Sequence, residues 1–192
     1  MASSSPYPDP PPVPISELLE NAKKWKENFN KPLPLGVKKA VSIITCMVEL
    51  PAIAHDGRVM PASIFGLDLG DAEYIRNAGG RVTDDVIRSL VVAQELLNCK
   101  IILLVHHTDC GAQAAKKHHS WLIKKIKDKL GVDLSNYNFL GIGPTDADLA
   151  ESVKEDVHKL RASPLIPKQV PIYGFVYDVK DGSLNEVTRS EE

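Results

Sequence analysis

The chain has only three cysteines, Cys46, Cys99 and Cys110. That number is too small and too uneven for a disulfide framework, which leaves metal binding, catalysis or plain burial as their uses. A large excess of charge of one sign is also missing. A net charge of −2 gives no electrostatic footprint for nucleic acid or for an anionic membrane surface. No apolar run approaches the length that spans a bilayer. The opening residues, "MASSSPYPDPPPVP", lack the basic start and apolar stretch of a secretory signal and the arginines of a transit peptide, so the cytoplasm is the expected location. What remains is ordinary for a globular protein: 192 residues, 43% hydrophobic and 25% charged, enough for one domain with a sizeable core.

Six prolines fall within residues 1–14, which read as a disordered or extended tail ahead of a single domain spanning 15–192. Leu18, Ala22, Trp25 and Phe29 then recur at helical spacing among lysines, predicting an amphipathic helix that Pro32 and Pro34 stop. "KAVSIIT" and "AEYIRN" read as strands, the second ended by Gly79 and Gly80. Thr83 is placed to cap a helix with Asp84 and Asp85 in its first turn and an apolar stripe of Val86, Leu90, Ala93 and Leu97. Gln94 lies beside that stripe and is expected to be a semi-buried amide with its hydrogen bonds satisfied. "KIILLV" is apolar enough for a strand buried on both faces, followed by a helix from about Gly111 to Leu130. "NFLGIG" is a candidate fourth strand and "DADLAESVKEDVHKLRAS" an amphipathic helix. "PIYGFVYDVKDGSLNEV" reads as a C-terminal hairpin turning at Asp181-Gly182. The alternation predicts an α/β fold with a mostly parallel central sheet flanked by helices.

In such a sheet, ligands sit beyond the carboxyl ends of the strands. Cys46 falls at the end of the first strand, and His107 and Cys110 follow the third. The H-x-x-C pair can reach one ion, with Cys46 arriving from the neighbouring strand. Two thiolates and an imidazole suit zinc, and three protein ligands leave a position for water. Spacing alone leaves zinc ligation and simple burial equally open.

"GDAEYIRNAGGRVTDDVIRSL" and "ILLVHHTDCGA" resemble the β-class carbonic anhydrases, and "HHTDCG" is similar to the motif of their short branch, which also holds carbonyl sulfide hydrolases. The resemblance runs from about Leu18 to Val187. It implies zinc ligands at Cys46, His107 and Cys110 and favours metal over burial. It also implies a homodimer or dimer of dimers, with the helix around Trp25 and Phe29 embracing the partner. His106 is expected to be a packed or hydrogen-bonded neighbour rather than a ligand, while Cys99, between a helix and a strand, reads as structural and His118 and His119, among lysines, as solvated.

The family continues from its first cysteine as cysteine, any residue, acid, any residue, arginine. Here Val48 and Leu50 stand at those places. Reading backward from "GDAEYIRNAGG" restores the pattern: Asp56 is the acid and Arg58 the arginine, with the eight residues Val48–His55 inserted after Met47. This register is the one adopted, because lengthening a loop adds little closure cost. An ordinary surface ion pair is the alternative for Asp56 and Arg58. The resemblance then implies hydration of CO2 to bicarbonate by zinc-bound hydroxide, with Asp56 accepting a hydrogen bond from the zinc-bound water and Arg58 holding Asp56. Two other readings stay open. One is a hydrolase of carbonyl sulfide or carbon disulfide on the same site. The other is a catalytically silent, dimeric zinc protein whose insertion disrupts the Asp56–Arg58 pair.

Overall fold

The computed structural model describes residues 13–29, 35–47 and 59–190. The Pro-rich tail up to residue 12 and the whole of residues 48–58 lie outside them, Asp56 and Arg58 included. Two units are present. The described part of the first is helix α1 (Ile15–Asn28), which carries the expected apolar stripe yet buries none of its residues; Trp25 is 65% exposed.

The second unit is built on a five-stranded sheet in the order β2-β1-β3-β4-β5. Strands β1 (Val41–Cys46), β2 (Ala72–Asn77), β3 (Ile101–His107) and β4 (Ile172–Tyr177) are parallel, and β5 (Leu184–Ser190) returns antiparallel to β4 as the predicted hairpin. The central strands β1 and β3 read as apolar runs because neighbours flank them on both sides. Ile43, Ile44, Ile102 and Leu104 are essentially inaccessible, each contributing on the order of 1.5–3 kcal/mol by leaving water.

One face of the sheet packs on helices α3 (Asp84–Leu96) and α6 (Asp146–Ala162). Ile44, Leu104 and Ile172 there meet Val86 and Leu90 of α3 and Val153, Val157 and Leu160 of α6. The opposite face has a smaller core of Ile43, Ala72 and Val105, with Phe65 at the end of the short helix α2 (Pro61–Phe65) set edge-on to Phe175. Thr83 caps α3 by accepting from the Val86 amide, as expected. Thr145 and Asp148 cap α6 reciprocally. No helix among the described residues is long and apolar enough to cross a membrane.

Three expectations need correction. The helix predicted over 111–130 is two helices, α4 (Gly111–Lys117) and α5 (His119–Leu130), meeting at His118, which closes α4 by donating its amide to Ala114 O. "NFLGIG" is not a strand. β1 and β4 already occupy both edges of β3, and the segment lies against α4 instead, with Ile142 N donating to Ala112 O. Gln94 is half-buried as expected, but neither atom of its amide finds a partner.

Candidate metal centre

The parallel strands deliver side chains to one edge. Cys46 ends β1, His107 ends β3, and Cys110 is the N-cap residue of α4. One ligand atom from each lies within 4.8 Å of the others, and all three residues are buried. The Cys46 and Cys110 sulfurs are 3.7 Å apart, in hydrogen-bond contact and not joined as a disulfide. Two sulfurs on one tetrahedral ion, each about 2.3 Å from it, need nearly that separation.

His107 is oriented by its own chain. Its Nδ1 lies 2.9 Å from the Thr108 carbonyl, which can only accept, so Nδ1 carries the proton. Nε2 is left with a lone pair, buried and without a partner. An orphaned buried nitrogen is costly, and here it sits with two thiols, the environment a divalent ion would satisfy. The loop that presents it is tied down: Thr108 Oγ1 donates to Asp178 Oδ1 and accepts from the Val179 amide.

The Cys110 thiol is raised far above its ordinary range, first by its contact with Cys46 and then by burial, against the favourable pull of the Ala112 and Gln113 amides. Two adjacent buried thiolates repel each other, and a coordinated cation reverses that balance by deprotonating both. Gln113 stiffens the same corner, accepting from Cys110 N at 3.1 Å and donating to Gly143 O at 3.1 Å. The donor set, its spacing and the fixed tautomer all fit zinc.

His106 is the hydrogen-bonded neighbour expected, but its partners were not foreseen. The pleat sends successive side chains of β3 to opposite faces, so His106 turns toward α6 while His107 is left for the site. His106 is fully buried: Nδ1 meets Ser152 Oγ at 2.8 Å and Nε2 donates to Gly80 O at 3.2 Å, with Asp156 Oδ2 at 3.4 Å. Asp156 also accepts from Arg81 Nε at 2.8 Å and from the Val82 amide at 3.0 Å. Burial pushes the Asp156 pKa up, but His106, Arg81 and Val82 outweigh it and hold the carboxyl below its usual range. A signal existed: Ser152 and Asp156 fall on the apolar stripe of α6 with Leu149, Val153, Val157 and Leu160, and polar residues there need partners.

Gly80 carries this layer to the metal site. Its φ is +67°, and a Cβ there would lie 2.8 Å from the Thr45 carbonyl carbon and 2.9 Å from the Cys46 nitrogen. Only glycine lets the Ala78–Gly80 turn press so closely on the end of β1. Cys99 is buried away from the centre, and burial raises its thiol pKa. His118 and His119 are half-exposed, the latter edge-on to Phe139.

Comparison with known proteins agrees with this geometry. The carbonic anhydrase family model matches residues 42–184, the stretch that holds all three thiol and imidazole donors. The chain belongs to the β-carbonic anhydrase family. Among its members, β-carbonic anhydrase 1 of Mycobacterium tuberculosis is 35% identical over 177 residues, covering 90% of this chain and 96% of the relative. A carbon disulfide hydrolase of Acidithiobacillus thiooxidans is also 35% identical, over 182 residues, covering 86% of this chain and 85% of that one. Among solved structures, the carbonic anhydrase of Streptococcus mutans superposes with a TM-score of 0.75 at 41% identity, covering 91% of this chain and 96% of the other. The expected α/β architecture, parallel sheet and terminal hairpin are those of this β-carbonic anhydrase fold.

Proposed function

We propose that the protein is a zinc carbonic anhydrase, hydrating CO2 reversibly to bicarbonate. The observation that carries this reading is the unpartnered Nε2 of His107 beside two thiols 3.7 Å apart, in a member of the β-carbonic anhydrase family. Cys46, His107 and Cys110 would hold the ion. When bound, zinc supplies Lewis acidity that brings the ionisation of water to around pH 7. The Thr108 carbonyl keeps His107 in the ligating tautomer, and Gln113 and Gly80 hold the two cysteines in place.

Asp56 and Arg58 take the remaining work in this reading. An ionised Asp56 would accept a hydrogen bond from an O–H of the attacking water and so orient the water's lone pair toward the carbon. Arg58 keeps that carboxylate ionised and therefore acceptor-only. The support is the D-x-R spacing in step with Pro61 and the following "GDAEYIRNAGG". One zinc domain from residue 15 onward, assembled as a homodimer or a dimer of dimers, completes the proposal. The uncovered apolar face of α1 favours assembly. The cytoplasm is its proposed location.

The A. thiooxidans relative gives a second reading specific support: hydrolysis of carbon disulfide or carbonyl sulfide, linear molecules of the same shape as CO2, at the same three ligands. Assaying the zinc-loaded protein side by side with CO2, carbonyl sulfide and carbon disulfide decides between them. Hydration of CO2 with little turnover of the sulfur compounds is expected; the reverse preference would replace the first reading by the second.

A further inference from the structure

We infer that Asp178, in the C-terminal hairpin, is a positioning residue for the metal centre and acts on His107 through Thr108. The inference rests on the reading that Cys46, His107 and Cys110 hold the metal. Thr108 and Asp109 separate His107 from Cys110 in the chain. Every polar atom of Thr108 is engaged. Its amide donates to Tyr177 O at 3.0 Å, while its Oγ1 donates to Asp178 Oδ1 at 3.1 Å and accepts from the Val179 amide at 3.1 Å. Its carbonyl accepts from Nδ1 of His107 at 2.9 Å. Tyr177, Asp178 and Val179, where β4 ends, therefore fix the residue whose carbonyl sets the tautomer of a proposed ligand.

The turn between the two donors needs such a hold. Asp109 has a φ of +54°, in the left-handed region, where a residue with a Cβ pays about 1–2 kcal/mol. The bonds on Thr108 fix the chain immediately before it. Asp178 is held in its own place by the hairpin. Its Oδ1 also accepts from the Lys180 amide at 2.9 Å, its amide donates to Ser183 O at 2.9 Å, and its carbonyl accepts from the Gly182 amide at 2.9 Å. The hairpin thus sets an acceptor in position for the Thr108 hydroxyl. Both donors converge on Oδ1, so an accepting oxygen is what the contact requires, and the amide oxygen of asparagine meets that need. Asp181 is the comparison within the same turn. Its Oδ1 accepts from the Ser183 amide at 2.8 Å, and among the described residues no bond joins it to Thr108.

Two measurements on the full chain test this. In metal-free protein, imidazole nitrogen NMR should find the Nδ1–H tautomer of His107 dominant. Asp178→Ala should erode that preference, while Asp178→Asn and Asp181→Ala should match the parent. Zinc affinity from chelator competition should follow the same order, falling about 10–100-fold in Asp178→Ala and staying within about threefold of the parent in the other two. If Asp178→Ala folds poorly, Thr108→Val and Thr108→Ser decide the matter from the other side of the contact. The valine variant should lose the tautomer and the affinity, and the serine variant, which keeps the hydroxyl, should retain both. Parental tautomer and affinity in Asp178→Ala or in Thr108→Val would overturn the inference. So would a loss in Asp178→Asn as deep as in Asp178→Ala, or an equal loss in Asp181→Ala. A parent that binds no zinc would instead remove the metal reading, and the tautomer in metal-free protein would still report on the contact, so the two failures are distinguishable.

Discussion

Replacing Gly80 by alanine drives a methyl group into the backbone of β1 at Cys46. The new Cβ would stand 2.8 Å from the Thr45 carbonyl carbon, 2.9 Å from the Cys46 nitrogen and 3.0 Å from the Thr45 Cα, none of which is the free end of a flexible side chain. The left-handed φ of +67° adds about 1–2 kcal/mol for any residue with a Cβ. Overpacking against fixed atoms adds about 1–3 kcal/mol. Gly80→Ala should therefore lose about 2–5 kcal/mol in urea denaturation. Gly131→Ala is the matched control, since Gly131 has a φ of +70° with nothing within 4 Å of its would-be Cβ. Its cost should be the backbone part alone, about 1–2 kcal/mol. Because the displaced atoms belong to a proposed ligand, zinc affinity measured by chelator competition should fall about 10–100-fold in Gly80→Ala and stay unchanged in Gly131→Ala. Equal stability losses in the two variants, with zinc affinity intact in both, would refute the claim that this close approach positions Cys46.

Asp156→Asn removes the buried carboxylate of Arg81, leaving it only the more exposed Glu155 at 3.2 Å, and should cost about 1–3 kcal/mol at neutral pH by thermal or urea unfolding. The folded Asp156 pKa is depressed, so its contribution is present above the unfolded value of about 3.9 and is lost as pH falls through the folded one. The parent should lose stability faster than the variant as pH drops below about 4, and parallel curves would count against the pair. Asp56→Ala should retain zinc while turnover falls, by roughly 10²-fold or more if the carboxylate works in proton handling. Deleting residues 48–55 should preserve or raise activity; an inactive parent, indifferent to Asp56→Ala, would restore the register in which Val48 and Leu50 line the metal. Sedimentation should find at least a dimer at micromolar concentration, and Trp25→Glu on the exposed face of α1 should weaken it.

The sheet was legible because β1, β3 and α3 each carry one clear period: apolar runs for strands with neighbours on both sides, and a stripe behind a Thr-Asp-Asp start for the helix. The convergence of Cys46, His107 and Cys110 was legible because parallel strands deliver their ends, and the turn that follows β3, to one edge. The division at His118 was not, since "KKHHSW" contains no glycine or proline to mark a break. "NFLGIG" misled for a related reason: its apolar residues serve α4, and strand pairing is settled by which edges are vacant, a property of the whole sheet. The Arg81–Asp156–His106 layer was missed although Asp156 interrupts an apolar stripe, because its partners lie up to 75 residues away. Asp178 gives no sign at all in sequence; an acid in a hairpin acquires meaning only when the Thr108 hydroxyl meets it.

One titration tests the zinc centre most directly. Metal-free protein is supplied with zinc while bound metal and CO2 hydration are followed together, alongside Cys110→Ser and Cys99→Ser. Activity should rise in proportion to zinc and stop at one equivalent per chain. Cys99→Ser should match the parent, and Cys110→Ser should neither retain zinc tightly nor gain activity. Full zinc occupancy in Cys110→Ser, or a hydration rate indifferent to zinc in the parent, would contradict the proposed centre.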